Sequence, residues 1–238
     1  MKWLDRTELL LGAEKLSKLK NANVLVVGLG GVGAYAAEQL CRAGIGKMTI
    51  VDGDVVEETN RNRQLPALIS NTGQPKAEIL AERFRDINAD IELTIVNDFI
   101  ADEKTTALLK SQLFDYVVDC IDTLSPKVYL IYHAFQLGIP VVSSMGAGGK
   151  VNPEKLKIDD ISKTSYCKLA KAVRKRLADL GVKKGIKVVY STEETDEAAI
   201  RAENGRFKKS TVGTISYMPP VFGCFISSVV IRDLIYSK

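Results

Sequence analysis

The sequence predicts an α/β fold: a doubly wound, mainly parallel, Rossmann-like sheet, with a C-terminal elaboration that contains a basic helix and a returning apolar helix. Short β-branched segments alternate with helical segments between residues 23 and 145, an order typical of a parallel sheet covered on both faces. The strand candidates are almost wholly apolar, as strands buried on both faces are. A glycine-rich turn follows the first strand, where sheets of this class bind a nucleotide.

Each element of the core follows from its local pattern. β-branched runs predict five strands: Val24–Val27, Met48–Val51, Ile91–Val96, Tyr116–Asp119 and Val141–Ser144. Helical periodicity between these runs predicts helices near Gly33–Ala43, Lys76–Ile87, Glu103–Leu109 and Pro126–Leu137.

The pattern changes after Gly146, where a glycine-rich turn leads to Asn152-Pro153. The elements predicted beyond it are a basic helix near Thr164–Leu180, a short strand at Val188–Ser191, an acidic cluster at 193–197, a polar segment to Lys209 and a final apolar helix at Pro220–Ile235. No linker is long enough to separate a second domain. We therefore expect one domain over residues 1–238, with a nucleotide-binding core at 1–149 and a substrate-specific elaboration at 150–238.

The composition excludes several classes of protein. With 46% hydrophobic and 26% charged residues among 238, the chain is neither disordered, collagen-like nor a disulfide scaffold. Its four cysteines include no CxxC pair, which argues against a structural zinc site. The N-terminus lacks the apolar region of a signal peptide, and the apolar run Val221–Ile231 is about half the length that spans a bilayer. We expect a cytoplasmic protein with no membrane partner.

A candidate phosphate loop joins the first strand to the first helix of the core. Glycines occur there at positions 28, 30, 31 and 33, where they allow positive φ and close approach of the backbone to a phosphate at a helix N-terminus. Asp52 closes the second strand, where a carboxylate can bind ribose hydroxyls. On these residues alone, a nicotinamide-dependent oxidoreductase is the default interpretation.

The residues that follow favour a triphosphate. A triphosphate carries about four negative charges and requires fixed cations together with magnesium. Arg61, Arg63 and Lys76 supply cations beside the ribose pocket. Asp122 follows the fourth strand at the carboxyl edge of the sheet, where ligands of this fold bind, and it suits a magnesium ligand.

Five motifs between Gly28 and Asp122, G-x-G-G-x-G, D-x-D, N-x-x-R-Q, G-Q-x-K and C-x-D, resemble the ubiquitin-activating-enzyme-like superfamily, which includes the adenylyltransferases of sulfur-carrier proteins. The resemblance covers Arg6 to about Met145 and implies ATP and magnesium as ligands. The ATP-binding residues that it implies are Gly28, Gly30, Gly31, Gly33, Asp52, Asp54, Thr59, Asn60, Arg61, Asn62, Arg63, Gln64, Lys76, Asp122 and Thr123.

The same resemblance implies catalytic roles. Arg63, Lys76 and Asp122 would act on the phosphates, with Asp122 holding the magnesium. Arg6, in the pattern R-x-x-x-L-x-G, would reach into the ATP site of the partner subunit, so a homodimer is implied.

The second half of the chain indicates which substrate is activated. Sulfur-carrier activators hold a zinc through two CxxC pairs in this half, which the present chain lacks. Its segments resemble those of the tRNA threonylcarbamoyladenosine dehydratases over essentially the whole chain; they are 143–153, 160–164, 169–177, 189–193 and 213–223. That family commonly has Asp-Pro where this chain has Cys167-Lys168, which leaves the start of the local helix open.

This second resemblance implies a reaction. The threonyl carboxylate of a modified adenosine beside the anticodon of a tRNA would be adenylated by ATP. The neighbouring carbamoyl group would then close a ring, with net loss of water. Because this nucleophile is already tethered, effective molarity favours closure, and we expect no obligatory thioester at Cys167 or Cys224.

The positive charge is concentrated in one region of the chain. Residues 163–187 contain nine Lys or Arg and one acid, a local charge of +8, so with +4 overall the remaining residues carry −4. On a helical wheel Lys168, Lys171, Arg174 and Lys175 share one face, and the sequence carries no aromatic stacking motif with it. The predicted tRNA-binding residues are Lys168, Lys171, Arg174, Lys175, Arg176, Lys183 and Lys184.

Three alternative functions stay open at this point. The chain could activate the C-terminus of a sulfur-carrier protein, act as an NAD-dependent oxidoreductase, or bind nucleotide as a scaffold without catalysis. The resemblance also leaves open a bound monovalent cation and a partnership with a cysteine desulfurase and its sulfur acceptor.

Overall fold

A seven-stranded sheet forms the centre of the computed structural model, which describes residues 2–202 and 210–236. The strands run in the order β3-β2-β1-β4-β5-β7-β6. They are β1 (Asn23–Val27), β2 (Lys47–Val51), β3 (Glu92–Val96), β4 (Tyr116–Asp119), β5 (Val141–Ser144), β6 (Leu156–Asp160) and β7 (Lys187–Ser191). Every pairing is parallel except that of β6 with β7. The predicted doubly wound, mainly parallel sheet is confirmed.

Helices cover both faces of this sheet. They are α1 (Asp5–Leu11), α2 (Ala13–Asn21), α3 (Gly33–Arg42), α4 (Lys76–Ile87), α5 (Asp102–Lys110), α6 (Leu124–Gln136), α7 (Lys168–Asp179) and α8 (Met218–Tyr236). Val24 and Val26 of β1 belong to one buried cluster with α2, α3, α4 and α8, whereas Leu25 and Val27 belong to a second cluster with α5, α6 and α7. This alternation follows from the two-residue period of a strand.

The strand order reverses at β1, which pairs with β2 on one side and with β4 on the other. Val27 lies opposite both Val51 and Asp119, so the three strands end level with one another. In open α/β sheets such a reversal leaves a crevice outside the carboxyl ends of the strands. The loops that leave β1, β2 and β4 therefore meet at one place.

A partly exposed ion-pair network fastens α3 to α4. The carboxylate of Glu38 accepts bonds from Arg83 at 2.6 and 3.1 Å and from Arg42 at 2.8 Å. Burial alone would raise the pKa of Glu38, but hydrogen bonds and charge from the two arginines outweigh it and hold the pKa below its usual value.

The helix α8 begins two residues before and ends one residue after the predicted limits Pro220–Ile235. By length and composition alone, this helix of 19 residues could cross a membrane, although half of its most apolar window is buried inside the protein. It packs against α2, α3, β5 and β7. Burial of this kind also occurs in the core helix of a protein that never meets a membrane.

Several elements were not predicted. Helices α1 and α2, the edge strand β6 and an antiparallel pair, β8 (Ile200–Ala202) with β9 (Ser210–Val212), are additional to the expected set. Of the polar segment predicted to reach Lys209, residues 203–209 lie outside the described residues.

The predicted start of the basic helix near Thr164 is wrong, because α7 begins at Lys168. Tyr166 has a φ of 59°, a left-handed conformation that interrupts a right-handed helix. The Cys167 thiol then accepts a bond from the Ala170 N–H at 3.4 Å and caps the helix. Cys167 is therefore the N-cap of α7.

Candidate nucleotide-binding site

The glycine loop lies between β1 and α3, at the point where the strand order reverses. Gly28 has a φ of 87°, and a Cβ on it would lie 2.8 Å from the carbonyl oxygen of Cys120. A Cβ on Gly33 would lie 1.7 Å from the carbonyl oxygen of Gly28. Only glycine permits this tight turn. The Ala34 N–H donates to the carbonyl oxygen of Gly30 at 3.3 Å, and the other N–H groups of the first turn of α3 have no partners within the helix. The loop can therefore receive an anionic group.

Asp52 links two loops at the end of β2. One carboxylate oxygen accepts a bond from the Leu29 N–H at 2.6 Å, and the other accepts one from the Asp54 N–H at 2.8 Å. Burial raises the pKa of Asp52 above its usual value, although Lys76 and the two N–H groups act in the opposite direction. Each oxygen keeps a further lone pair, so the carboxylate fixes the glycine loop and can still accept a hydroxyl.

Lys76 and Asp54, predicted as separate ligands, form one unit. The Lys76 side chain is 5% exposed, and its ammonium nitrogen lies 3.1 Å from a carboxylate oxygen of Asp54. The backbone N–H of Lys76 also donates to the carbonyl oxygen of Asp54, at 3.1 Å. Lys76 begins α4, so its cation has a fixed position at the edge of the crevice.

The turn 59–64 brings most of the remaining predicted ligands beside the glycine loop. Arg63 donates to the carbonyl oxygen of Thr59 at 2.9 Å and to the Asn62 side chain at 2.7 Å. Asn62 donates in turn to the carbonyl oxygen of Thr214, at 2.9 Å. A Cβ on Gly31 would lie 3.4 Å from the carbonyl oxygen of Arg63, so the turn packs directly on the loop.

Two residues of this turn have local bonds. The side-chain oxygen of Asn60 accepts a bond from the Glu57 N–H at 3.1 Å, which caps the short 3-10 turn Glu58–Asn60. The guanidinium of Arg61 pairs with the Glu58 carboxylate. The guanidinium of Arg61 thus has a surface partner, whereas that of Arg63 bonds within the turn, whose backbone lies against Gly31.

Gln64 supplies an unpaired polar atom in this crevice. Its side-chain oxygen is buried and has no hydrogen-bond partner among the described residues, and its side-chain nitrogen would lie 3.7 Å from a Cβ on Gly30. A buried polar atom without a partner carries a free-energy cost, which a polar ligand at the glycine loop would remove. This observation fits a bound nucleotide.

The loop after β4 carries Asp122 and Thr123 at the same edge, and a buried cluster supports it. One oxygen of Asp119 accepts a bond from the Ile121 N–H at 3.1 Å, and the other accepts one from Lys127 at 2.6 Å. Ser143 also donates to Asp119, and Lys127 donates to Ser143 at 3.1 Å. The three side chains of this cluster were not predicted as functional.

Asp122 is exposed beyond this cluster and accepts a bond from the Thr123 hydroxyl at 3.4 Å. Over residues 2–202 and 210–236, no three acidic, histidine or cysteine side chains are grouped as a metal cage. The exposed carboxylate of Asp122 suits Mg²⁺, which proteins usually hold through one or two carboxylates, phosphates and water. Asp122 therefore fits the predicted role.

The basic helix α7 lies beside this edge. Arg176 donates to the Ser125 hydroxyl at 2.7 Å, three residues past Asp122. Arg174 is partly buried and donates to the carbonyl oxygen of Thr164 at 2.9 Å, while Lys168 lies 3.6 Å from the exposed carboxylate of Glu197. The predicted cations that are exposed are Lys168, Lys171, Lys175, Arg176, Lys183 and Lys184.

Lys150 is a further buried cation that sequence reasoning did not single out. Its ammonium donates to the carbonyl oxygen of Glu193 and, at 2.8 Å, to the Thr195 hydroxyl. Burial lowers the pKa of Lys150, and nearby acids only partly restore it. Its place directly after Gly149 was the only signal in the sequence.

The fold and the site together define a nucleotide-binding α/β protein, and the family can be named from a match to residues 4–236: the chain belongs to the ThiF family. The superfamily predicted from the motifs is confirmed. More narrowly, the chain is similar to the tRNA threonylcarbamoyladenosine dehydratase of Bacillus subtilis (strain 168). The two are 39% identical over 244 residues, which cover 97% of this chain and 94% of that protein.

Similarity to a solved structure extends to the whole architecture. The crystal structure of the Escherichia coli tRNA N6-threonylcarbamoyladenosine dehydratase in complex with ATP matches with a TM-score of 0.87 at 36% identity, covering 96% of this chain and 92% of that one. The molybdopterin-synthase adenylyltransferase of E. coli (strain K12) is 37% identical over 125 residues, which is 52% of this chain and 49% of that protein. The second similarity thus spans about half of each protein.

Proposed function

We propose that the chain catalyses the ATP-dependent dehydration of N6-threonylcarbamoyladenosine beside the anticodon of a tRNA. The observation that carries the proposal is the junction of a nucleotide-binding edge with a basic helix, made by the bond between Arg176 and Ser125. Similarity to the dehydratases over nearly the whole chain supports it, because that similarity includes α7. The match to the molybdopterin-synthase adenylyltransferase is about half as long. The similarity therefore supports activation of a sulfur-carrier protein less than it supports the dehydratase reaction.

The reaction has two steps. An oxygen of the threonyl carboxylate attacks the α-phosphorus of ATP, and pyrophosphate leaves. The carbamoyl group of the same nucleoside then attacks the activated carbonyl carbon, and AMP leaves with the oxygen that the carboxylate had supplied. The elements of water are therefore removed from the nucleoside at the expense of ATP.

Residues of this chain position and stabilise these groups. The N-terminus of α3 and the cations of Arg63 and Lys76 stabilise negative charge that develops on the phosphates. Asp52 accepts a ribose hydroxyl. Asp122 would hold magnesium, which when bound would supply positive charge beside the phosphates. Because the ring-closing nucleophile is tethered to its target, positioning accounts for the second step.

The decisive experiment combines the protein with tRNA that carries the modified adenosine, ATP and magnesium, and then measures nucleosides by mass spectrometry under mild conditions. We expect the modified adenosine to lose one water. ATP–pyrophosphate exchange that requires a sulfur-carrier protein, with no change in the nucleoside, would instead establish the adenylyltransferase function.

The site is tested with Arg63→Ala and Lys76→Ala, each of which should abolish the conversion while the protein stays folded. Arg85→Ala is the matched control, because Arg85 is exposed at the other end of α4, about 13 Å from Lys76. Wild-type rates in both site variants would refute the assigned site.

The basic surface is tested by charge reversal. Lys171→Glu with Lys175→Glu should weaken tRNA binding and flatten its dependence on salt by about one unit of slope per lost phosphate contact. Lys20→Glu with Lys110→Glu introduces the same charge change on helices that end at the opposite edge of the sheet. If both double variants weakened tRNA binding equally, the loss would reflect the change in net charge and would contradict a tRNA-binding surface on α7.

We also propose a homodimer in which Arg6 completes the partner subunit's site. Leu9 and Leu10 of α1 are 88% and 83% exposed, which is costly unless a partner covers them. Arg6→Ala and Lys76→Ala should each be inactive, yet a mixture that exchanges subunits should recover up to about a quarter of wild-type activity, because mixed C2 dimers contain one intact site. No recovery would contradict action in trans.

A further inference from the structure

A small groove lies between residues 164–167 and the first turns of α7. Its volume is about 210 Å³, and α7 contributes Lys168, Lys171 and Arg174 to its lining. Lys168 and Lys171 are exposed there, and Arg174 is partly buried and donates to the carbonyl oxygen of Thr164. The groove is therefore electropositive and open to solvent.

An aromatic ring stands at this groove. Tyr166 is 61% exposed, and its φ of 59° is uncommon for a residue other than glycine. The neighbouring backbone is fixed, because the Cys167 N–H donates to the carbonyl oxygen of Ser165 at 2.7 Å and the Cys167 thiol caps α7. The ring is thus presented to solvent by a well-anchored turn.

The groove lies at the same edge of the sheet as the candidate nucleotide site. A Cβ on Gly146, in the turn after β5, would lie 3.8 Å from the Cys167 sulfur and 3.9 Å from the Cβ of Leu169. The groove's helix is joined to the loop that carries Asp122 by the bond between Arg176 and Ser125. A ligand held here would adjoin a ligand at the glycine loop.

We propose that Tyr166 is a stacking platform for an unpaired base of the anticodon loop, next to the modified adenosine, with Lys168 and Lys171 holding the adjoining phosphates. This proposal rests on the proposed function for the identity of the RNA. An exposed aromatic side chain beside cations is the combination that binds single-stranded nucleic acid, because every base offers a face for stacking. The helix supplies charge, and Tyr166 supplies the contact with a base.

The test measures binding of an isolated anticodon stem-loop RNA by fluorescence anisotropy. Tyr166→Ala should raise Kd about 5- to 150-fold, the range for loss of one stacked base, while Tyr166→Phe should bind like the wild type. Tyr166→Asn is a second variant that lacks the ring and tolerates positive φ. Tyr236→Ala is the matched control, because Tyr236 is similarly exposed, at 66%, near the end of α8.

Two further readouts separate stacking from other roles. The salt slope of binding should stay unchanged in Tyr166→Ala, because no phosphate contact is lost, and the affinity for ATP should stay unchanged. Unchanged RNA affinity in both ring-deleted variants would overturn the proposal. So would an equal loss of affinity for a fully paired RNA duplex, which offers no unpaired base.

The same experiment distinguishes this proposal from the proposed function. Tyr166-dependent binding of the stem-loop by a protein that leaves the modified nucleoside unchanged would refute the dehydratase activity and support the platform. Dehydration by the wild type, together with wild-type binding and turnover in Tyr166→Ala, would refute the platform alone.

Discussion

Replacement of Lys127 by methionine should destabilise the protein strongly. The ammonium of Lys127 and the carboxylate of Asp119 are 2.6 Å apart, and both side chains are 0% exposed. Methionine fills a similar volume but leaves the Asp119 carboxylate, among the described residues, with Ser143 and the Ile121 N–H as partners. The variant therefore tests an unpaired buried charge, together with the loss of the bond from Lys127 to Ser143.

The expected magnitude follows from the complete burial of the pair. Removal of one partner of a buried ion pair costs about 3 to 5 kcal/mol. For a chain of this size, each kcal/mol lowers Tm by about 2 to 4 °C, so a decrease of roughly 6 to 20 °C is expected. The exposed pair of Lys104 with Asp98, at 2.5 Å and with side chains 63% and 48% exposed, has similar geometry, and Lys104→Met should change stability little.

Denaturant unfolding of a double-mutant cycle is the appropriate assay. Asp119→Asn removes the charge that Lys127→Met would leave unpaired, so the double variant should be more stable than Lys127→Met alone. Lys127→Met should also raise the KM for ATP, because Asp119 accepts a bond from the Ile121 N–H and so holds the loop that leads to Asp122. A loss below about 1 kcal/mol, in the range of surface pairs, or no recovery in the double variant, would refute the reasoning.

Three further predictions follow from the structure. Gly33→Ala should lower Tm, because its Cβ would lie 1.7 Å from a carbonyl oxygen, whereas Gly30→Ala, with 3.7 Å to its nearest neighbour, should not; thermal unfolding without nucleotide measures both. The depressed pKa of Glu38 stabilises the fold fully above its usual value of 4.5 and progressively less as the pH falls through the folded pKa. Glu38→Gln should therefore lower the free energy of unfolding by about 1 kcal/mol near neutral pH, because the arginine partners of Glu38 are half exposed. The difference between variant and wild type should shrink in acid. Cys167→Ser and Cys224→Ser should keep turnover in the nucleoside assay, and loss of turnover by a folded variant would indicate a thioester.

The buried strands were predictable because their composition is nearly uniform. β1 and β4 are apolar runs because both of their faces are covered. The observed ends of both strands lie within one residue of the predicted ends. β6 was missed because the sequence of Leu156–Asp160 is largely charged, as an edge strand with exposed residues can be. Its pairing with β7 depends on a neighbour about 30 residues later in the chain.

The candidate site was predictable to a similar degree. The glycine loop and Asp52 follow strand ends, which the order of elements brings to one edge, and Lys76 begins the helix after the second of these strands. The direction of a side chain was not predictable: Arg61 and Arg63 are two residues apart, yet the guanidinium of Arg61 pairs with Glu58 and that of Arg63 bonds to Thr59 and Asn62. Such choices depend on which acceptors the tertiary structure places within reach.

The sequence by itself determined the alternation of strands and helices, the position of the glycine loop and the concentration of positive charge in residues 163–187, because each depends on residues close together in the chain. Only the tertiary structure decided that Lys127 is buried against Asp119 and Ser143, and that Tyr166 stands exposed at a basic groove beside the carboxyl edge. Burial and exposure depend on contacts between distant segments. A lysine or a tyrosine in the sequence is compatible with either, and packing alone selects between them.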